Sequence, residues 1–534
     1  MPTLPALPAL RSFAAAALIG LSLAGAAPAQ ASSLPSTNVA WQTAAADADV
    51  DRAFALARQR QQPVLLYWGA SWCPPCNQMK ATFFNRADFA QIAKGFVAVN
   101  VDGDKPGAQK LGSRFKVSGY PTVVLFRPDG TEITRLPGEA EPDRLMALLQ
   151  LGMSGGRPAK AVLADMRAGK ALSPGDWRML AFYGWGIDEE QVLPKGEVPG
   201  VLAEIAQKAE TAPGVDADLR TRLWLQAIAA SDDGQGLKPD AVLRGRVQKV
   251  LDDPALVRRH ADLIAGNASS LVKALTDEES AERSALSASL DTALRRLAED
   301  RTLSRGDRLG ALVERVEIAR IGQPRDALQP NLPKGLADEV RAHALRDDRE
   351  ITDGYERQAV ITGDAYALGR AGLWADSDAL LKANLTKSHS PYYLMSQLGG
   401  NARKHGKTTE ALRWYEQAWT KSEGPATRLQ WGTNYLSALV DLAPKDGARI
   451  ERVATQMLDE AAKDSGAFAG RSANVLQRMG KKLDGWNGKG ENTASLQRLQ
   501  RRLDGVCRGV DAADGQRAAC EAVLKPGKAD AKAA

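Results

Sequence analysis

Apolar residues are distributed in two different ways along this chain. Between residues 64 and 136 they come in short, dense runs bounded by turn residues, the pattern of buried strands. Val64-Leu65-Leu66-Tyr67-Trp68 is the first run, opened by Pro63 and closed by Gly69. Residues 96–101 form the second, 121–126 the third and 132–136 the fourth, with the turn Pro128-Asp129-Gly130 between the last two. Helix-spaced positions lie around them: 51–60, 73–94 (Met79, Phe83, Phe84, with a break near Asn85), 109–115 and 141–151. Residues 32–46 are polar and Ala-rich and read as a loose lead-in. Helices between the first strands demand parallel pairing, and the tight turn demands an antiparallel edge. The expectation is an α/β domain over residues 32–153, a mixed sheet flanked by helices.

The pattern changes at Gly155-Gly156-Arg157-Pro158, which reads as a linker. Beyond it nearly everything has helical period, broken by turns such as Ser173-Pro174-Gly175-Asp176 and Ala212-Pro213-Gly214. Residues 154–345 are expected to be α-helical. Residues 346–525 are expected to be α-helical with a repeat: Gly372 and Gly406, and Pro391 and Pro425, are each 34 residues apart. The segment Leu398-Gly399…Gly406…Ala411…Tyr415…Ala418 is similar to a tetratricopeptide repeat, with small residues where paired helices cross. About two such units are visible, and an irregular helical array is the alternative. Residues 526–534 are short, small and polar and are expected to be a disordered tail.

Composition narrows the class. Charged residues make up 25% and aromatics only 6%, which favours a well-solvated, helix-rich protein. The net charge of +6 comes without a dense Lys/Arg cluster, so nucleic acid is not an expected partner. At the N-terminus, Arg11, the apolar run 13–25 and Ala29-Gln30-Ala31 have the form of a cleavable secretory signal over residues 1–31. The run is short for a membrane span, which takes about 20 apolar residues. The mature chain is therefore expected to be periplasmic and without a transmembrane segment.

Four cysteines remain to be placed: Cys73, Cys76, Cys507 and Cys520. The spacing suggests Cys73–Cys76 and Cys507–Cys520 bridges, although an even count also permits other pairings. If a helix starts near Cys73, the first two sulfurs stand one turn apart on one face. Cys73 then sits at the helix N-terminus, where free N–H groups and the dipole stabilise a thiolate. These are the parts needed for thiol–disulfide exchange. Pro74 and Pro75 lack amide hydrogens, which leaves mainly the Cys76 N–H to serve the Cys73 sulfur, so a less acidic thiol and a more reducing couple are expected. Cys507–Cys520 reads as a structural disulfide, with a second redox pair relaying electrons to Cys76 as the rival. Trp72 reads as a shield for the sulfur and part of a substrate surface, with core packing as the alternative. Trp68 reads as core. Asp102 and Asp104 read as turn formers. The four histidines (His260, His343, His389, His405) lie far from the cysteines, and no metal site is expected.

Trp72-Cys73-Pro74-Pro75-Cys76 followed by Gly119-Tyr120-Pro121-Thr122 before a strand resembles the thioredoxin superfamily over residues 40–152. The resemblance implies that Pro121 is cis, that Cys73 is the nucleophile and Cys76 the resolving thiol, and that Trp72, Tyr120, Pro121 and Thr122 bind substrate, by strand addition at Tyr120. It also implies protein thiols or disulfides as substrates and no cofactor beyond the Cys73–Cys76 disulfide. Tyr67 and Ala98 stand where cytoplasmic members carry a buried Asp and its Lys partner, so the familiar proton acceptor is missing. The sequence points to an exported thiol–disulfide oxidoreductase whose helical region binds a protein partner, fed by a membrane electron donor if it works as a reductase. The alternative is a binding or chaperone-like scaffold with a thioredoxin-like docking module.

Overall fold

A computed structural model describes residues 39–525, apart from 118, 137–141, 188–191, 233 and 513. The expected signal segment (1–31) and tail (526–534) lie outside the described residues. The sheet has five strands in the order β1-β3-β2-β4-β5. They are β1 (Gln42–Ala44), β2 (Val64–Gly69), β3 (Val97–Asp102), β4 (Thr122–Phe126) and β5 (Glu132–Leu136). β1 and β2 flank β3 in parallel, and β4 runs antiparallel to both β2 and β5. The four dense runs are thus strands, in the expected pairing senses. β1 corrects the reading of residues 32–46 as a loose lead-in. Three residues at a sheet edge are too few to show a periodicity, and they become a strand only because β3 offers a free edge.

The sheet is buried on both faces, which is why its strands lack polar alternation. Leu65 and Tyr67 of β2 join Ala98, Val123 and Leu125 in one apolar cluster. Val64, Leu66 and Trp68 join Val97, Val99, Val124 and Phe126 in the other. Helix α1 (Asp47–Arg60) covers the second face through Val50, Ala53, Phe54 and Ala57. The expected helix over 73–94 is segmented. α2 (Pro74–Met79) widens into a π-turn over Lys80–Phe84, the chain breaks at Asn85, and α3 (Ala87–Ile92) follows. α4 (Ala108–Arg114) precedes β4, and α5 (Pro142–Met153) closes the domain. Burial of each large apolar side chain here contributes about 1.5–3 kcal/mol.

The linker does not divide the hydrophobic core. The cluster under Leu65 and Phe83 continues through Val162, Trp177 and Leu202 to Ala227. Beyond it, paired helices follow one another, among them Gly354–Arg370 with Trp374–Asn384 and Pro391–Lys404 with Thr408–Lys421. Gly372 and Gly406 adopt left-handed φ values of 81° and 68° in the turns of these two pairs. A Cβ on Gly399 would stand 3.1 Å from the Tyr415 ring, so the helices cross closely at that glycine.

The helical chain returns to the α/β domain along α4. Gly107 N–H donates to Asp464 Oδ1 (3.0 Å), Gly470 N–H to Ser113 Oγ (2.7 Å) and Arg471 N–H to Gln109 Oε1 (3.0 Å). Gly470 has φ 52°, and a Cβ there would meet the Gln109 carbonyl oxygen at 2.6 Å. Cys507 and Cys520 are bridged, joining the helices Thr493–Arg508 and Gln516–Ala522. Between them Asp514 pairs with Lys110 of α4 at 2.9 Å. Replacing both cysteines with Ser removes a loop constraint worth roughly 3 kcal/mol in the chain-entropy model. Hydrogen exchange should then accelerate in residues 509–525 while exchange chemistry at Cys73 persists. Loss of that chemistry would instead favour the relay reading.

Candidate redox site

Gly69 ends β2, and the chain turns through Ala70-Ser71-Trp72 into α2 with Cys73 as its N-cap. Cys73 and Cys76 are disulfide-bonded, with Cα atoms 5.2 Å apart. Pro74 and Pro75 fill the first two helical positions, and the Cys73 sulfur accepts one hydrogen bond, from the Cys76 N–H at 3.2 Å. This is the donor that the two prolines leave. Asn77 braces the turn, its Nδ2 donating to the Ser71 and Cys73 carbonyls at 2.7 and 2.8 Å.

The second motif arrives on β4. Thr122 pairs with Trp68, which places the Tyr120–Pro121 peptide beside the end of β2. That peptide is cis. Thr122 Oγ1 donates to the Gly119 carbonyl at 2.9 Å, and the Tyr120 hydroxyl accepts from Gln109 Nε2 at 2.6 Å. Burial pushes the Tyr120 phenol up to about 12. Tyr67 lies behind the site, packed edge-on against Phe84 with its hydroxyl unpartnered, and burial raises its pKa far above the ordinary range. A phenol held neutral in this way is no substitute for a carboxylate proton acceptor. Burial lowers the pKa of the Lys80 ammonium, against the Asp102 charge, which raises it.

The redox pair is enclosed. Cys73 is 2% exposed, Cys76 0% and Trp72 8%. All three belong to the core cluster of the helical region, with Tyr392, Met395, Trp431 and Tyr435. Trp72 stacks on Tyr393 (6.1 Å, 20°) and meets Trp431 and Tyr120 edge-on, each at 6.2 Å. The Arg471 guanidinium lies over both the Trp72 and Tyr120 rings, at 4.8 and 5.2 Å. Gln358 Nε2 donates to the Trp72 carbonyl (3.3 Å) and His389 Nε2 to the Ser71 carbonyl (2.9 Å). Trp72, next to Cys73 in the chain, is thus packed in a core, the alternative reading given for it.

Asp104 is a buried polar link between the two regions. Trp72 Nε1 donates to its Oδ2 at 2.9 Å, and Thr427 Oγ1 donates to its Oδ1 at 2.5 Å. Burial raises the Asp104 pKa from 3.8 to about 6 against these two hydrogen bonds. The turn-former reading of Asp104 missed this contact, which no local pattern could reveal because Thr427 lies 323 residues away. The sign of the pH effect follows. A carboxyl whose pKa is raised by burial favours the enclosed state while it is protonated. That advantage is lost as pH rises from 3.8 through about 6, and it is constant above. Melting profiles should show enclosure weakening across this window in the wild type. The slope should flatten in Asp104→Asn, and an unchanged slope there would remove Asp104 from the account.

Residues 50–152 match the family model of a thioredoxin-like domain. The chain is 30% identical over 116 residues to thiol:disulfide interchange protein DsbD 2 of Pseudomonas aeruginosa, covering 21% of this chain and 20% of that protein. It is 32% identical over 97 residues to DsbD of Klebsiella pneumoniae, 18% of this chain and 16% of that protein. DsbD of Ralstonia nicotianae is 28% identical over 143 residues, 26% of this chain and 24% of that protein. The chain thus spans about a fifth of the length of these relatives. Among the described residues, no helix is long and apolar enough to cross a membrane.

Proposed function

We propose that this chain is an exported thiol–disulfide oxidoreductase that exchanges a dithiol and a disulfide with protein substrates through Cys73 and Cys76. The observation that carries the reading is the Cys73–Cys76 disulfide at the start of α2 beside the cis Tyr120–Pro121 peptide. The thioredoxin-like family match over residues 50–152 and the relatives named as thiol:disulfide interchange proteins support it. In the reducing direction, the Cys73 thiolate attacks one sulfur of a substrate disulfide. A Cys73–substrate disulfide forms, and the other substrate sulfur leaves as a thiolate. The Cys76 thiolate then attacks Cys73 Sγ, which closes the Cys73–Cys76 bond and releases the second substrate thiol. Two electrons and two protons have then passed to the substrate. A donor dithiol, at the membrane in this reading, returns them to the chain. The oxidising direction runs the same steps backwards. The N-terminal signal read in the sequence supports export to the periplasm.

The enclosure sets a condition on this chemistry. A substrate sulfur must line up with Cys73 Sγ and its own leaving sulfur, yet Cys73 is buried in the core cluster of the helical region and its neighbour Trp72 is covered by Tyr393, Trp431 and Arg471. Exchange therefore requires the helical region to yield. In this reading the tetratricopeptide-like helices are the partner-binding part, and a partner engaging them uncovers the site. The deciding measurement is the equilibrium of the Cys73–Cys76 couple with a glutathione buffer, followed by acid quench and alkylation. A reversible two-electron titration supports the reading, and a pair that stays oxidised in strong dithiol with the protein folded defeats it. The enclosure also favours a second reading, a chaperone-like scaffold in which the disulfide only staples the docking module. Under it Cys73→Ala leaves partner binding and function intact.

A further inference from the structure

The helix Leu336–Glu350 places His343 and Asp347 at i and i+4, on one face. The next helix, Gly354–Arg370, brings Asp364 against them. All three side chains are buried, at 6%, 0% and 1% exposure. One atom from each can be chosen so that all lie within 4.8 Å of one another. Such a group in a core is costly unless something compensates it. His343 Nδ1 stands 3.4 Å from Asp347 Oδ2 and 3.3 Å from Asp364 Oδ1. Both spacings exceed the ~2.7–2.9 Å of a charge-assisted hydrogen bond, and one Nδ1 hydrogen cannot serve two carboxylates well. Asp347 Oδ2, Asp364 Oδ2 and His343 Nε2 have no hydrogen-bond partner among the described residues. A histidinium paired with two aspartates would therefore leave polar atoms on all three residues unsatisfied.

The two spacings from His343 Nδ1 suit a bound ion, and the carboxylates lie within 4.8 Å of one another. Zinc with bonds of about 2.0–2.1 Å to nitrogen and oxygen puts tetrahedral ligand atoms roughly 3.3–3.4 Å apart. The outer contacts also suit it. Arg305 Nη1 holds Asp347 Oδ1 at 2.8 Å, and Arg346 Nε lies 4.0 Å from the same oxygen, so both guanidiniums leave Oδ2 free to face the group. A carboxylate fixed through its second oxygen is the usual support of a metal ligand. We infer that His343 Nδ1, Asp347 Oδ2 and the Asp364 carboxylate form a Zn2+ site that ties the helix Leu336–Glu350 to the helix Gly354–Arg370. A water molecule would fill the fourth tetrahedral position. The ion replaces a strained charge cluster with neutralised, coordinated groups. It also anchors the helix whose Gln358 holds the Trp72 carbonyl. The inference stands apart from the redox reading, because none of its ligands touches a cysteine.

The full-length protein is stripped with a chelator and dialysed against ZnCl2, and bound zinc is measured by mass spectrometry. About one equivalent is expected in the wild type, together with a rise in melting temperature of about 2 °C or more over the stripped protein. Both effects should vanish in the variant carrying Asp364→Asn and His343→Gln. Co2+ in place of Zn2+ should give the visible absorption of a tetrahedral nitrogen–oxygen site in the wild type, a readout that does not depend on the variant folding. No stoichiometric zinc, zinc retained by the folded double variant, or a Co2+ spectrum like that of the ion in water would each overturn the site.

Discussion

Reduced Cys76→Ala protein, offered an unfolded disulfide-containing protein, accumulates a mixed disulfide through Cys73, and Cys73→Ser accumulates none. Turnover should fall roughly a hundredfold or more in both variants under the proposed mechanism, in which nucleophile and resolving thiol act in sequence on one bond. The asymmetry has a structural basis. Cys76 is fully buried on α2 with its N–H turned to the Cys73 sulfur, whereas Cys73 caps the helix at its entrance. Under the proposed function a substrate sulfur meets Cys73 first. Non-reducing gels and mass spectrometry of the trapped species check this. Adducts on Cys76 in the Cys73→Ser protein would reverse the assignment, and no adducts in either variant would end the enzymatic reading.

The second large effect concerns the enclosure. Arg471→Ala removes the guanidinium that lies over both Trp72 and Tyr120 while leaving the backbone hydrogen bond from its own N–H to Gln109 in place. Each cation–π contact of a desolvated Arg is worth about 0.5–2 kcal/mol, and 1.4 kcal/mol shifts an opening equilibrium about tenfold. Alkylation of Cys73 in the reduced protein should therefore speed up by about tenfold, with little change in the global melting temperature. Trp431→Ala should act in the same direction but also lower stability, since Trp431 is itself core. The rate is measured by quenched labelling with a small alkylating reagent, at one pH so that the thiolate fraction is held constant. Equal rates in wild type and Arg471→Ala would mean that these contacts do not limit access.

Much of the α/β domain was legible because its signals are local. Four strand runs, the turn at Asp129-Gly130 and the break near Asn85 are each written within a few residues. The two prolines between the cysteines forecast the single N–H that serves the Cys73 sulfur. What escaped were short or distant features. β1 is three residues long, and the π-turn over Lys80–Phe84 has no sequence period distinct from a helix. The local sequence marks Asp104 only as a turn former, because its contact with Thr427 spans 323 residues. His343, Asp347 and Asp364 were passed over because they lie outside the cysteine domain. The i, i+4 spacing of His343 and Asp347 was the signal that could have found them.

The sequence by itself determined the chemistry on offer: two thiols one helical turn apart, an X-Pro bond ahead of a strand, and no acid at Tyr67 or Ala98. These are properties of neighbours along the chain. Only the tertiary structure decided how available that chemistry is. The apolar residues that pack on Trp72 beside the redox pair, Tyr393 and Trp431, read as ordinary helix-face positions more than 300 residues downstream, and hydrophobic burial is non-directional: it states that such residues will be covered, not by what. It took the return of the helical chain along α4, through Asp464, Gly470 and Arg471, to set that cover over Cys73.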